Sequence, residues 1–427
     1  MKLLLKGGRV VDPATRTDGE LDVLIVDGAI SRVERGIAAD GARVLDLKGK
    51  VVAPGFVDMH VHLREPGQEW KETIATGTRA AAAGGFTAVA CMPNTVPVND
   101  ERAVTEFIRA RALASSPVRV YPIGAVSKGQ RGEELAEIGD LVAGGAIAIS
   151  DDGRPVVSGT LFRKALEYAS MFGIPVIDHC EDPDLSDGGV VNEGYISTLL
   201  GLKGWNRTAE EVMVSRDLLL AEETGGRVHI AHVSTKGSVG LLREARARGV
   251  RASAEASPHH LALTENACRD YDTRTKMNPP LRTEEDRQAL LEALADGTID
   301  AIATDHAPHH LDEKSVEFAR APFGVIGLET AVSLALDRLV GMGVIGLCRL
   351  VELFAVGPRA ILSLPGGRLE PGQPADITIL DLGREVTVDA SRFYSKARNS
   401  PFDGWRLKGA PVATLVGGEI VHDELAP

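Results

Sequence analysis

Between about Pro54 and Leu364 the chain alternates short apolar runs with helical stretches, and this alternation constrains the fold more than any other feature. Eight runs read as strands: Phe56 to His62, Phe86 to Met92, Val118 to Ile123, Ala146 to Ile149, Pro175 to His179, Val228 to Val233, Arg251 to Ala256 and Ile299 to Thr304. Between them lie helix-like segments, among them Trp70 to Ala83, Asp100 to Ala114, Glu133 to Val142, Thr208 to Glu223 and Ser238 to Arg248. Eight βα units predict an α/β chain closed into a (β/α)8 barrel, with a doubly wound open sheet as the alternative. No G-x-G-x-x-G follows a strand, which counts against a nucleotide-binding form of that alternative.

The two ends of the chain read differently from its middle. Leu21 to Val26 passes through Asp27-Gly28 into Ala29 to Val33, the Asp-Gly signal of a hairpin. Ala375 to Leu380 is strand-like, and Ala413 to Val416 turns through Gly417-Gly418 into Glu419 to Val421. Each end alone is near the lower size for independent folding, so residues 1–53 and 366–427 are expected to build one small β domain around a barrel of residues 54–365. The three leucines at Leu3 to Leu5 are too few for a signal peptide or membrane span, which predicts a soluble, cytoplasmic protein. Cys91, Cys180, Cys268 and Cys348 stand singly, so neither a disulfide framework nor a zinc knuckle is expected. A formal charge of -13 without clustered Lys and Arg argues against nucleic acid or an anionic membrane as a partner.

In a barrel the chemistry sits at the C-terminal ends of the strands. The first run carries His60 and His62 on one face of a strand, with Asp58 behind them. Such a pair suits one metal ion, although a buried strand can also carry it as a hydrogen-bonded pair. The other ends settle the balance: the fourth run leads into Asp151-Asp152, the fifth ends in Asp178-His179, the sixth carries His229 and His232, and the eighth ends in Asp305-His306. Of 11 histidines, His60, His62, His179 and His232 stand at those ends, with an acid at two others. The set suffices for two divalent ions bridged by a carboxylate, which lower the pKa of water and polarise a carbonyl. Hydrolysis of an amide-type bond is the reaction this predicts.

The runs Pro54 to Gly67, with its His62-Leu63-Arg64-Glu65-Pro66-Gly67 segment, Met92-Pro93-Asn94-Thr95 and Ala303 to His309 resemble the dihydroorotase family of the amidohydrolase superfamily over nearly the whole chain. The resemblance implies a distorted TIM barrel with a small β-sandwich domain made from both termini. It implies zinc, one or two ions per chain, with one held by His60, His62 and Asp305 and the other by His179 and His232. Many superfamily members bridge the ions with a carboxylated lysine; here Ile149 to Gly153 offers an aspartate, assigned to Asp152, with Asp151 left open because periodicity fails at a strand end.

By the same resemblance the reaction interconverts N-carbamoyl-L-aspartate and L-dihydroorotate in pyrimidine biosynthesis, with Asp305 as ligand and acid/base. His62, Arg64, Asn94, Asn278 and His309, with the backbone around Phe323-Gly324, would bind the anionic substrate. Arg64 also reads as a surface ion pair and Asn278 as a turn residue before proline. His259, His260, His306 and His310 read as supporting, capping or exposed residues. A hydantoinase or allantoinase, and a non-catalytic subunit supporting aspartate carbamoyltransferase, are the rival readings. The resemblance allows for a homodimer and for a complex with that carbamoyltransferase. The long stretch from Ala307 to Ile326 reads either as a lid over substrate or as a plain surface insertion.

Overall fold

In the computed structural model, which describes residues 2–425, the eight expected runs form parallel strands in two sets. Phe56–Val61, Phe86–Cys91 and Arg119–Pro122 make a three-stranded sheet. Ile149–Ser150, Val176–Asp178, Val228–Ile230, Ala252–Ala256 and Ala301–Ile302 make a five-stranded one. Single parallel bridges, Gly124 with Ile149 and Val61 with His306, join the two into a closed ring. The barrel reading therefore holds over the open sheet.

Side-chain size explains how the ring fills. Its interior holds Met59, Ala90, Met92, Ile123, Ala148, Ile177, Ala231, Ala301 and Ala303, where alanines leave room for the two methionines. Outside it, apolar residues of the strands pack on the helices, with Phe354 stacked on Phe56 at 5.3 Å between ring centroids and edge-on to Phe86 at 5.9 Å. Thr208–Thr224 and Arg102–Ser115 form within two residues of expectation. The first barrel helix starts at Ile74 rather than Trp70, because Thr73 Oγ1 accepts from Thr76 N while Thr76 Oγ1 accepts from Thr73 N. The helix expected from Glu133 is Ile138–Gly144, since the preceding residues are drawn into a bridge between Ser127 and Leu135.

The chain ends meet in one eight-stranded sheet. Lys2–Asp12, Thr17–Val26, Ala29–Glu34, Arg43–Asp46 and Val51–Pro54 come from one end, and Ile377–Thr387, Arg406–Val416 and Glu419–Asp423 from the other. Val51–Pro54 joins them, parallel to Lys2–Asp12 and antiparallel to Ile377–Thr387. Leu3, Leu5, Val23, Ile25, Val52, Ile377, Ile379 and Leu415 form a core of this sheet's own, while Leu380 packs into the barrel's core. One stretch of the C-terminal segment leaves the sheet: Ser395 Oγ reaches Glu72, and Asn399 Nδ2 donates to the carbonyls of Ala307 and Gly324 at the barrel's mouth. Among the described residues no helix is long and apolar enough to cross a membrane, and all four cysteines are free.

Thr378 ties sheet to barrel. Its fully buried Oγ1 accepts from Phe56 N at 3.0 Å and donates to Gly85 O at 2.7 Å. Thr378→Val keeps the shape and strands both partners, so chemical denaturation is expected to read a loss of about 1–3 kcal/mol.

Candidate metal centre

Six side chains converge at the C-terminal ends of five strands. His60 and His62 come from the first, Asp152 from the fourth, His179 from the fifth, His232 from the sixth and Asp305 from the eighth, all buried. Asp305 Oδ1 lies 3.0 Å from His62 Nε2 and 3.5 Å from His60 Nε2. Asp152 stands between the two halves of the set. Its Oδ1 faces His60 Nε2 at 3.3 Å, His232 Nε2 at 3.6 Å and His179 Nδ1 at 3.7 Å, and its Oδ2 faces His62 Nε2 at 3.4 Å. His179 Nδ1 and His232 Nε2 are 2.9 Å apart. Asp151, the open alternative, points away: its carboxylate accepts from Val126 N, Ser127 N and Ser127 Oγ.

Hydrogen bonds on the far sides of the rings orient them. His62 Nδ1 donates to Asn94 Oδ1 at 2.8 Å, and His179 Nε2 donates to Glu181 Oε2 at 3.1 Å. Each ring therefore turns its remaining lone pair toward a carboxylate or another imidazole, which calls for a cation or a proton between them. His60 Nε2 and Asp152 Oδ1, both fully buried, have no hydrogen-bond partner. Two overlapping groups, His60, His62 and Asp305 and then His60, Asp152 and His232, could each hold a divalent metal, with His179 beside His232 and the two orphaned atoms among them. A further buried group, Asp178, Cys180 and Asp217, already has its cation in the guanidinium of Arg216, 2.6 Å from Asp217.

The electrostatics of the protein without metal agree. Burial alone would push the Asp152 carboxyl up, but His60, His232 and His62 hold it well below the usual carboxylate range. Asp305 is likewise held down against burial, chiefly by His62. Burial opposes a charge on His60, yet Asp152 and Glu255 outweigh it and hold that imidazole well above its ordinary value. For His179, burial is outweighed by Glu181 and Asp152, which raise it to about 8. Arg64, His232 and Asp305 adopt φ of 61°, 32° and 48°, left-handed conformations that cost energy for residues with a Cβ.

Two of the groups expected to meet substrate touch this cluster or its supports, Asn94 the His62 ring and Asn278 the Glu181 carboxylate that holds His179. Arg64 is buried and its side chain makes one hydrogen bond, from Nε to Pro308 O at 3.2 Å, so its terminal nitrogens have no partner among the described residues. Burial lowers its pKa to about 10, which leaves it charged at neutral pH. Asn278 donates Nδ2 to Glu181 Oε2 at 2.9 Å, and its buried Oδ1 has no partner. His309 donates Nε2 to Phe323 O at 2.8 Å; burial and then Arg64 lower its pKa to about 2, so the ring is neutral. Gly324, at φ +129°, must be glycine, because a Cβ there would fall 2.8 Å from Ala307 Cβ. The loop holding these groups is fastened by Lys314, whose ammonium donates to the carbonyls of Thr273, Lys276 and Pro322. Sequence reasoning missed Glu181, Glu255 and Asn399. Glu181, two residues after His179, carried the one usable signal, a strand-end acid on that histidine's parity.

The fold and the site define an amidohydrolase. In structure the chain is similar to L-hydantoinase from Arthrobacter aurescens, with a TM-score of 0.90 and 27% identity over 99% of this chain and 96% of that one. Residues 49–238 match the family model described as Dihydro-orotase-like. The chain is 60% identical to the dihydroorotase of Pelotomaculum thermopropionicum over 424 residues, 99% of each chain. It is 54% identical to that of Acetivibrio thermocellus over 422 residues, again 99% of each. The chain belongs to the dihydroorotase family.

The two aspartates are separable. Asp152→Asn is expected to lose tight metal binding in a chelator competition, whereas Asp151→Asn keeps it; equal metal affinity in both variants would refute the assignment.

Proposed function

We propose that this chain interconverts L-dihydroorotate and N-carbamoyl-L-aspartate on a pair of zinc ions, the ring amide being hydrolysed in one direction and closed in the other. The observation that carries the reading is the convergence of four imidazoles and two carboxylates beside a buried arginine with free terminal nitrogens, in a chain 60% identical to a dihydroorotase. Imidazole and carboxylate donors suit zinc. His60, His62 and Asp305 would hold one ion, His179 and His232 the other, and Asp152, facing four imidazole nitrogens, would bridge them. When bound, such ions supply an activated water and polarise the amide carbonyl.

The chain's own groups do the rest. Arg64 presents two nitrogens to the substrate carboxylate, a planar match that a lysine would not reproduce. Asn94 and Asn278 each keep one amide atom, Nδ2 and Oδ1 respectively, without a partner among the described residues, for the ring's polar edge. Neutral His309 and the backbone at Phe323-Gly324 close the other side. Asp305 accepts the proton of the attacking water as the new C–O bond forms, and returns it to the ring nitrogen as the C–N bond breaks. Ring closure runs these transfers in reverse. Both aspartates, all four histidines and the substrate groups come from one chain.

Metal analysis of the purified protein is expected to give two zinc equivalents, and chelation to abolish dihydroorotate hydrolysis reversibly. Asp305→Asn should keep most of the metal while kcat falls by about 10²–10⁴. A near-normal kcat in that variant, or preferential turnover of hydantoin or allantoin in a substrate panel, would overturn the reading.

A further inference from the structure

The seventh strand, Ala252–Ala256, sends no side chain into the six-membered cluster, yet it carries a fully buried carboxylate, Glu255, inside the barrel. His60 Nδ1 donates to Glu255 Oε1 at 2.6 Å, so the one remaining lone pair of that ring, on Nε2, faces Asp152. The same Oε1 receives the backbone N–H of His232 at 3.4 Å, at a residue held in a left-handed conformation. The other oxygen, Oε2, accepts from His229 Nε2 at 3.2 Å, and His229 Nδ1 accepts from Ser253 Oγ at 2.8 Å. Every ring nitrogen along this line but His60 Nε2 is satisfied, and the line ends at that orphaned atom.

We propose that Glu255 is a positioning residue for the metal centre: it fixes the tautomer of His60 and the backbone of His232, and so sets ligands of both ion positions from one carboxylate. The proposal rests on the metal reading above. Glu255 touches no substrate group; its reach is to His60, His229 and the main chain of His232. Without it, the His60 ring has no acceptor for Nδ1–H and can take the other tautomer, which places the single proton of the neutral ring on Nε2, the atom needed by the metal. His229 tightens the geometry, since a carboxylate held at both oxygens cannot rotate away from His60.

The substitutions separate charge from shape. In Glu255→Gln the amide oxygen still accepts from His60, and the amide nitrogen can donate to His229 Nε2 once His229 moves its proton to Nδ1 and donates to Ser253. Glu255→Leu removes the acceptor altogether. Zinc affinity, read by chelator competition, is expected to fall about 10- to 100-fold in the leucine variant and less in the glutamine variant. At saturating zinc, KM for dihydroorotate should stay within about twofold of wild type in the glutamine variant. Imidazole nitrogen NMR of the zinc-loaded protein should show His60 protonated on Nδ1, with Nε2 unprotonated, in wild type and Glu255→Gln. Wild-type zinc affinity in both variants, or His60 protonated on Nε2 rather than Nδ1 in the zinc-loaded wild type, would overturn the proposal. If Glu255→Leu does not fold, the affinity and NMR readings of Glu255→Gln decide it. Neither zinc affinity nor the NMR reading uses dihydroorotate, so their failure is distinct from a failure of the proposed reaction.

Discussion

Closure of the barrel between its first and last strands is the constraint on which the site depends. His62 N donates to His306 O at 2.9 Å, and Asp58 Oδ1 receives both Thr304 N at 3.1 Å and His60 N at 3.2 Å. These bonds bring the His60–His62 pair against Asp305, although 243 positions separate His62 from Asp305 in sequence. The seam is deeply buried, and burial raises the Asp58 carboxyl to about 7 despite these hydrogen bonds from the main chain. An acid is tolerated there because one oxygen satisfies two backbone donors that a strand end would otherwise leave exposed to an apolar interior.

Catalytic geometry of this kind is assembled from backbone strain as well as contacts. Arg64, His232 and Asp305 each take a left-handed conformation just beyond their strands, so the chain turns sharply as soon as its ring hydrogen bonds end. That turn lets short strands aim His232 and Asp305 inward, with Arg64 turned at the same mouth. The cost is borne by the close-packed ring below, whose alanines and methionines leave little freedom for the strands to shift.

The barrel was legible in the sequence because each strand is a local apolar run and each ligand follows the rule that chemistry sits at the C-terminal ends. His60, His62, His179, His232 and Asp305 obey that rule, and the structure brings them together. The choice between Asp151 and Asp152 was not legible, since alternation fails where a strand stops; it turns on Ser127, whose main chain and hydroxyl draw Asp151 aside. Glu255 was hidden inside a run read only as apolar. Asn399 was hidden by distance: its partners at Ala307 and Gly324 lie 92 and 75 positions earlier, and nothing local marks it. The late helix starts at Ile74 and Ile138 reflect capping and bridging that periodicity does not report.

Asn399 holds the carbonyls of Ala307 and Gly324 from a segment that is made after the whole barrel. The strand Ile377–Thr387, which locks Val51–Pro54 in place, is also late. A growing chain on the ribosome thus possesses all six converging side chains before it possesses the wall beside them. The first strands must wait, with one edge open, for the last to arrive. The order of synthesis therefore makes the metal-binding cluster early and the finished pocket late.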